Sequence, residues 1–192
     1  MAQLLDVVVR HQIDLVQYSN GVVRRIIAIL NRADAELFAQ LTAALDALSP
    51  ESYTVERLEA MLAGVRMLNA DAYARAMGEL EGAARELAGE EAGWMQSLYR
   101  TAAPAVNFAS VTAEQAYVAA MARPFQGRLL REWAASIPAD RMTRIRDAVR
   151  MGYLEGQTVS QVAHRIRGTR ALGYADGIIE IDRRHAETIA RS

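Results

Sequence analysis

Apolar residues recur along most of this chain at intervals of three and four, the repeat of helices that bury one face. Leu4, Val8, His11 and Leu15 form such a row, and the Asn20-Gly21 pair after it predicts a stop, so the first element reads as a short amphipathic helix. From Val22 a second row, through Val23, Ile26, Ile27, Leu30, Leu37, Leu41, Leu45 and Leu48, runs to Ser49-Pro50. Thr54 is a plausible N-cap for a third segment, in which Leu58, Met61, Leu62, Val65 and Leu68 resume the helical repeat. Tyr73, Leu80, Leu87 and Trp94 then recur every seven residues with no Pro before Pro104. They predict either one very long helix or two helices broken near Gly78, Gly82 or Gly89. A rod of that length needs company along its flank. The simplest arrangement is an antiparallel hairpin with the preceding helix, extended by a neighbouring subunit or another protein across the Tyr73, Leu80, Leu87, Trp94 stripe.

The stretch 101–111, TAAPAVNFASV, has small residues, a Pro and no helical period, and reads as a linker. Beyond it, Thr112 to Gln115 and Thr158 to Gln161 both fit capping boxes. The first opens a helix ending near Ala122, before Arg123-Pro124; the second opens one ending at Gly168. Two further helices are expected between them, around 128–136 and 138–152. Gly173 and Asp176-Gly177 are turn signals, and the β-branched run Ile178 to Ile181 predicts one short strand or hairpin. Asp182 then suits the cap of a closing helix. The expectation is a mainly α protein: a long-helix assembly region over 1–100, a linker over 101–111, and a smaller helical C-terminal region with a short β-hairpin or strand over 112–192.

Composition narrows the function. The 192 residues carry 22 basic and 23 acidic side chains, every basic one an Arg, and no Cys. Thiol nucleophiles, disulfides and sulfur-bound zinc are thereby excluded. The longest aliphatic run, Ile26 to Leu30, is far short of the ~20 residues of a membrane span, and the opening lacks the pattern of a secretory signal. Charge is uneven: residues 1–100 hold 9 Arg and 14 acids, and residues 101–192 hold 13 Arg and 9 acids. The second half is therefore the one suited to anions or acidic surfaces.

No arrangement of residues announces catalysis. His185-Ala186-Glu187 matches half of a zinc deaminase signature, whose cysteine half is missing. His11, His164 and His185 have no i, i+4 pairing, no G-x-S-x-G elbow occurs, and Gly168 to Gly173 lacks the Lys-Ser/Thr of a P-loop. We expect no catalytic, cofactor or metal site. The densest basic region comprises Arg141, Arg144, Arg146, Arg150, Arg165, Arg167 and Arg170, opposed by Asp140, Asp147 and Glu155. Within it Arg165, Arg167 and Arg170 are the candidate contacts for a partner's acids or for nucleic acid phosphates.

The string from Met151 to Ser192 resembles the head-morphogenesis, or minor head protein, family of tailed bacteriophages, the Mu-like protein F group. The resemblance is carried by Gly152, by Glu155, Gly156 and Gln157, and by Arg165, Ile166, Arg167, Gly168 and Thr169. It continues through the Gly173, Tyr174, Asp176, Gly177 turn and a closing Arg183, Arg184, Ala186, Glu187 and Ile189. The match is close over these 40 or so residues and looser from about residue 112; RHQIDLVQYSNG near the start also looks like the family's opening helices. The resemblance implies a virion component inside the capsid near the portal vertex, made in the host cytoplasm. It would bind the portal protein, and also major capsid or scaffold protein, in several copies, with non-specific contact to packaged DNA. It implies no enzymatic activity, and family members usually continue past the position of Ser192, so a natural short form, a processed product and part of a longer protein all stay open. The alternatives are an internal ejection protein released with the genome, or the N-terminal part of a larger phage enzyme or toxin.

Overall fold

The computed structural model describes residues 2–47, 54–124 and 129–180. Two helices dominate it: α1, Ala2–Asp46, and α2, Val55–Ala102. At 1.5 Å per residue their 45 and 48 residues reach about 67 and 72 Å. They form the expected antiparallel hairpin, its register marked by cross-pairs whose numbers rise on one helix as they fall on the other. His11 meets Glu91, Tyr18 meets Glu86, and Arg25 meets Glu79. Thr54 caps α2 by accepting from the Arg57 amide at 3.2 Å.

The stop expected in α1 does not occur, and of the two alternatives for α2 the single long helix is the one formed. α1 passes through Asn20-Gly21 because Tyr18, Val22 and Ile26 on either side are held in a cluster with Tyr73, Ala76 and Ala83 of α2. A mid-helix Gly costs only about 1 kcal/mol against Ala, less than that packing returns. α2 likewise runs unbroken past Gly78, Gly82 and Gly89.

The remaining helices lie on the hairpin. α3, Ala113–Met121, begins at a complete capping box: the Gln115 amide donates to Thr112 Oγ1 at 3.2 Å, and the Thr112 amide donates to Gln115 Oε1 at 3.0 Å. Its Tyr117 is buried against α2, under the Arg85 guanidinium 4.1 Å from the ring centroid. α4, Leu130–Leu154, is one helix where two were expected, with Pro138 inside it. Proline removes one helical hydrogen bond and costs ~3 kcal/mol. Here Ile137 and Met142 on either side are buried, and the Pro138 carbonyl accepts from Asn69 Nδ2 of α2 at 3.0 Å, so tertiary contacts hold the turn in line. α5, Val159–Arg167, has the second capping box, at Thr158 and Gln161, and stops at Gly168, whose φ is 89°.

The expected strand is absent. Residues 178–180 are helical, and no strand occurs among the described residues. A lone β-branched pair has no strand to pair with, and Ile179 instead enters the helical core. The closing helix expected over Arg183, Arg184, Ala186 and Ile189 falls on residues outside the described ones.

The main core is shared between the two ends of the sequence: Leu37, Leu41 and Leu45 of α1 and Leu58, Leu62 and Val65 of α2 meet Met142, Ile145 and Val149 of α4 and Val162 and Ile166 of α5. A buried ion pair stands at its edge. Arg141, 2% exposed, donates to Asp34, 8% exposed. Burial alone would lower the Arg141 pKa, but the charge of Asp34 and the adjacent Tyr73 outweigh it and the pKa is raised.

Candidate functional site

The residues that carry the family resemblance are drawn together between the end of α4 and residue 180. At the α4–α5 junction Gly156, with φ 64°, reverses the chain, and the Gln157 amide donates to the Gly152 carbonyl at 2.8 Å. Glu155 collects two partners on one oxygen, Gln157 Nε2 at 2.8 Å and Arg165 Nη2 at 2.9 Å. Gly152 is required by proximity, since a Cβ there would lie 2.4 Å from Val162 Cγ2.

The second half of the motif closes on itself. Asp176 accepts from the Thr169 amide at 2.8 Å and from Thr169 Oγ1 at 3.0 Å, joining the two ends of the 169–176 turn. The bond to the Thr169 amide is the main reason the Asp176 carboxyl sits below its ordinary 3.8. Gly168 and Gly177 touch through backbone: a Cβ on Gly177 would lie 2.2 Å from the Arg167 carbonyl oxygen, and one on Gly168 would lie 2.7 Å from the Gly177 nitrogen. Gly173 and Tyr174 adopt left-handed conformations at φ 59° and 65°. The described motif residues thus form two local closures, one at the α4–α5 junction and one over 168–177, while Ile166 enters the main core; Arg183 and Arg184 lie outside the described residues.

The three candidate contact arginines divide. Arg165 is engaged by Glu155. Arg167 is held between two rings, its guanidinium 5.2 Å from the Phe38 centroid and 5.0 Å from that of Tyr174, an arrangement that fixes a cation without neutralising it. Arg170 is exposed on the short turn Arg170–Leu172. Arg167 and Arg170 share an open cleft with His164, Thr42 and Asp46. Arg141, counted with the basic region in the sequence, is withdrawn into the core.

The seven-residue stripe is used within the chain. Tyr73 is buried in the hairpin seam, Leu80 packs against the same cluster, and Leu87 is half-buried. Trp94 stacks on His11 with centroids 3.7 Å apart and planes at 8°, while His11 Nε2 lies 2.6 Å from Glu91 Oε1. No group of three or more His, Asp or Glu suited to a metal ion occurs among the described residues, and no described helix is long and apolar enough to cross a membrane.

One surface escaped the sequence reading. Beside the row that faces α2, α1 carries a second row, Leu5, Val9, Ile13 and Val16, at spacings of four, four and three, with exposures of 64, 50, 51 and 61%. The signal is in the sequence: apolar residues at both 4 and 5, and at both 8 and 9, give that segment two apolar faces where a hairpin helix needs one.

No family model, no curated protein and no solved structure matches this chain.

Proposed function

We propose that the chain is a minor head protein of a tailed bacteriophage, a non-enzymatic assembly component that binds the portal vertex inside the capsid and assists head assembly and DNA packaging. The observation that carries the reading is the local closure of the resembling residues. Glu155 pairs with Arg165 and Gln157, Thr169 with Asp176, and Gly168 with Gly177, while Gly156 and Gly173 supply left-handed turns. The rest of the molecule is consistent with binding as its work: a hairpin about 70 Å long offers surface along its length, and Arg167 and Arg170 present cations on the C-terminal unit.

Purified chain should co-sediment with portal rings, and a charge reversal at Arg170 or loss of the Arg167 cation should weaken that contact or any contact to DNA. A salt series separates the two, because phosphate contacts weaken steeply with ionic strength. A chain that ignores portal, capsid and scaffold proteins alike would overturn the reading.

A further inference from the structure

We infer that the Leu5, Val9, Ile13, Val16 row is an interface between two copies of this chain, packed as antiparallel α1 helices about a twofold axis near Gln12. The row spans about 17 Å of helix, and its Val9, Ile13 and Val16 line a shallow groove with Val8, Gln12 and Gln17. Farther along α1, residues on the same side, among them Asp34 and Leu41, are covered by α4 and α5. The bare row therefore continues a face that the molecule already uses for helix packing, past the point where its own helices stop covering it.

The charges beside the row favour a second copy. Asp6, Arg10 and Asp14 follow one another at intervals of four along one flank, and none of the three is ion-paired among the described residues. In an antiparallel twofold pair the same flank of both helices falls on the same side, so this acid–base–acid sequence faces itself reversed. With the axis near Gln12, each Arg10 stands opposite Asp14 of the second copy, and Val9 opposes Val16 of the second copy. A parallel pair would put the charged flanks on opposite sides and leave them without partners. The inference stands apart from the head-assembly reading, since the oligomeric state and crosslinking of the chain alone decide it.

The test uses the full chain. Sedimentation equilibrium from about 1 to about 100 µM should show passage from the 21.1 kDa monomer to twice that mass. Val9→Glu with Ile13→Glu should hold the chain monomeric across the range with unchanged helical circular dichroism. The exposed charge change Arg10→Asp should weaken the dimer at least about tenfold, and adding Asp14→Arg to it should restore affinity. Because the chain has no Cys, a lone Gln12→Cys should oxidise readily to a disulfide dimer, whereas Met67→Cys, at an exposed site elsewhere, should not. A parent chain monomeric throughout, a dimer indifferent to the Glu substitutions, or equal crosslinking at both cysteines would each overturn the inference. So would a monomeric parent whose binding to portal rings is lost in the Val9→Glu, Ile13→Glu variant, which would assign the row to the portal.

Discussion

The two halves of α1 have similar apolar patterning and different fates. Between residues 22 and 45 the helix contributes Val22, Val23, Ile26, Leu30, Leu37, Leu41 and Leu45 to the interior; between residues 4 and 20 no residue is fully buried. The first stretch lies under a third layer of helices, and among the described residues the second packs chiefly against α2. Two helices in contact can each hide only the stripe that faces the other. A further layer converts a seam into a core, and the α4–α5 pair supplies it over one half of the hairpin. The bare half keeps its shape through contacts at the seam's rim instead: His11 against Trp94 and Glu91, and Tyr18 against Glu86 and the Ala83 carbonyl.

The sharpest way to break this contrast is to attack the covered half where the layers lock. Asp34→Ala strands the Arg141 charge in a site 2% exposed, and removing one member of a buried pair costs about 3–5 kcal/mol. Urea unfolding should show that loss. Replacing both residues by apolar ones, Asp34→Leu with Arg141→Met, should recover most of it, since a packed apolar pair is often as stable as a buried ionic one. A single substitution costing under about 1 kcal/mol would mean that water reaches Arg141 and that this region is no more closed than the tip.

Gly152→Ala probes the layer itself. The new Cβ would fall 2.4 Å from Val162 Cγ2, forcing α5 away from α4 at a cost of about 1–3 kcal/mol. Hydrogen exchange should then accelerate in the 37–45 segment of α1, which α5 helps to cover, and leave residues 4–18 unchanged. Acceleration spread evenly over α1 would contradict a division of the helix into two regimes.

The local chemistry of this fold is legible in the sequence and its long-range chemistry is not. Thr54, Thr112 and Thr158 announce three helix starts because a cap is satisfied within three residues. Gly168 announces a stop for the same reason. The errors share a cause. Asn20-Gly21, Pro138 and Ile178-Ile179 are each locally correct signals for a stop, a break and a strand, and each is overruled by partners distant in sequence. Pro138 is held by Asn69 and Ile179 by the four-helix core. The Asp34–Arg141 pair joins residues 107 positions apart and has no local signature at all. At the candidate site, the motif's glycines and turns were visible as a string, while the reason for them, backbone contact between Gly168 and Gly177, appears only when the turn is closed.

A pH series separates the rims of the two regions. The Tyr18 hydroxyl is pushed up to about 12 by burial and by its hydrogen bond to Glu86. A folded-state pKa above the ordinary 10.0 gives stability that is complete below pH 10 and lost as pH rises toward 12. The tip of the hairpin should therefore loosen on that alkaline limb, and Tyr18→Phe should remove the limb. The Asp176 carboxyl has the opposite sense. Its folded value lies below 3.8, so its contribution is complete above pH 3.8 and fades as pH falls below it, and Asp176→Asn should flatten the acid limb of melting curves. An alkaline limb unchanged by Tyr18→Phe would remove the Tyr18–Glu86 bond from what holds the tip together.

The smallest expected effect is the most discriminating. In a dilute monomer Ile13→Ala should change unfolding free energy by no more than about 0.5 kcal/mol, because a side chain already half in water gives up little on truncation. Ile145→Ala, with the same atoms removed from a fully buried position, should cost about 2–5 kcal/mol. The pair measures one chemical change on either side of the boundary between covered and bare helix. If Ile13→Ala is costly at a concentration where the chain sediments as a monomer, something within the chain already covers that row, and the contrast between the halves of α1 fails. If it is silent there and destabilising only where the chain pairs, the row acts between copies and contributes nothing to the fold of one.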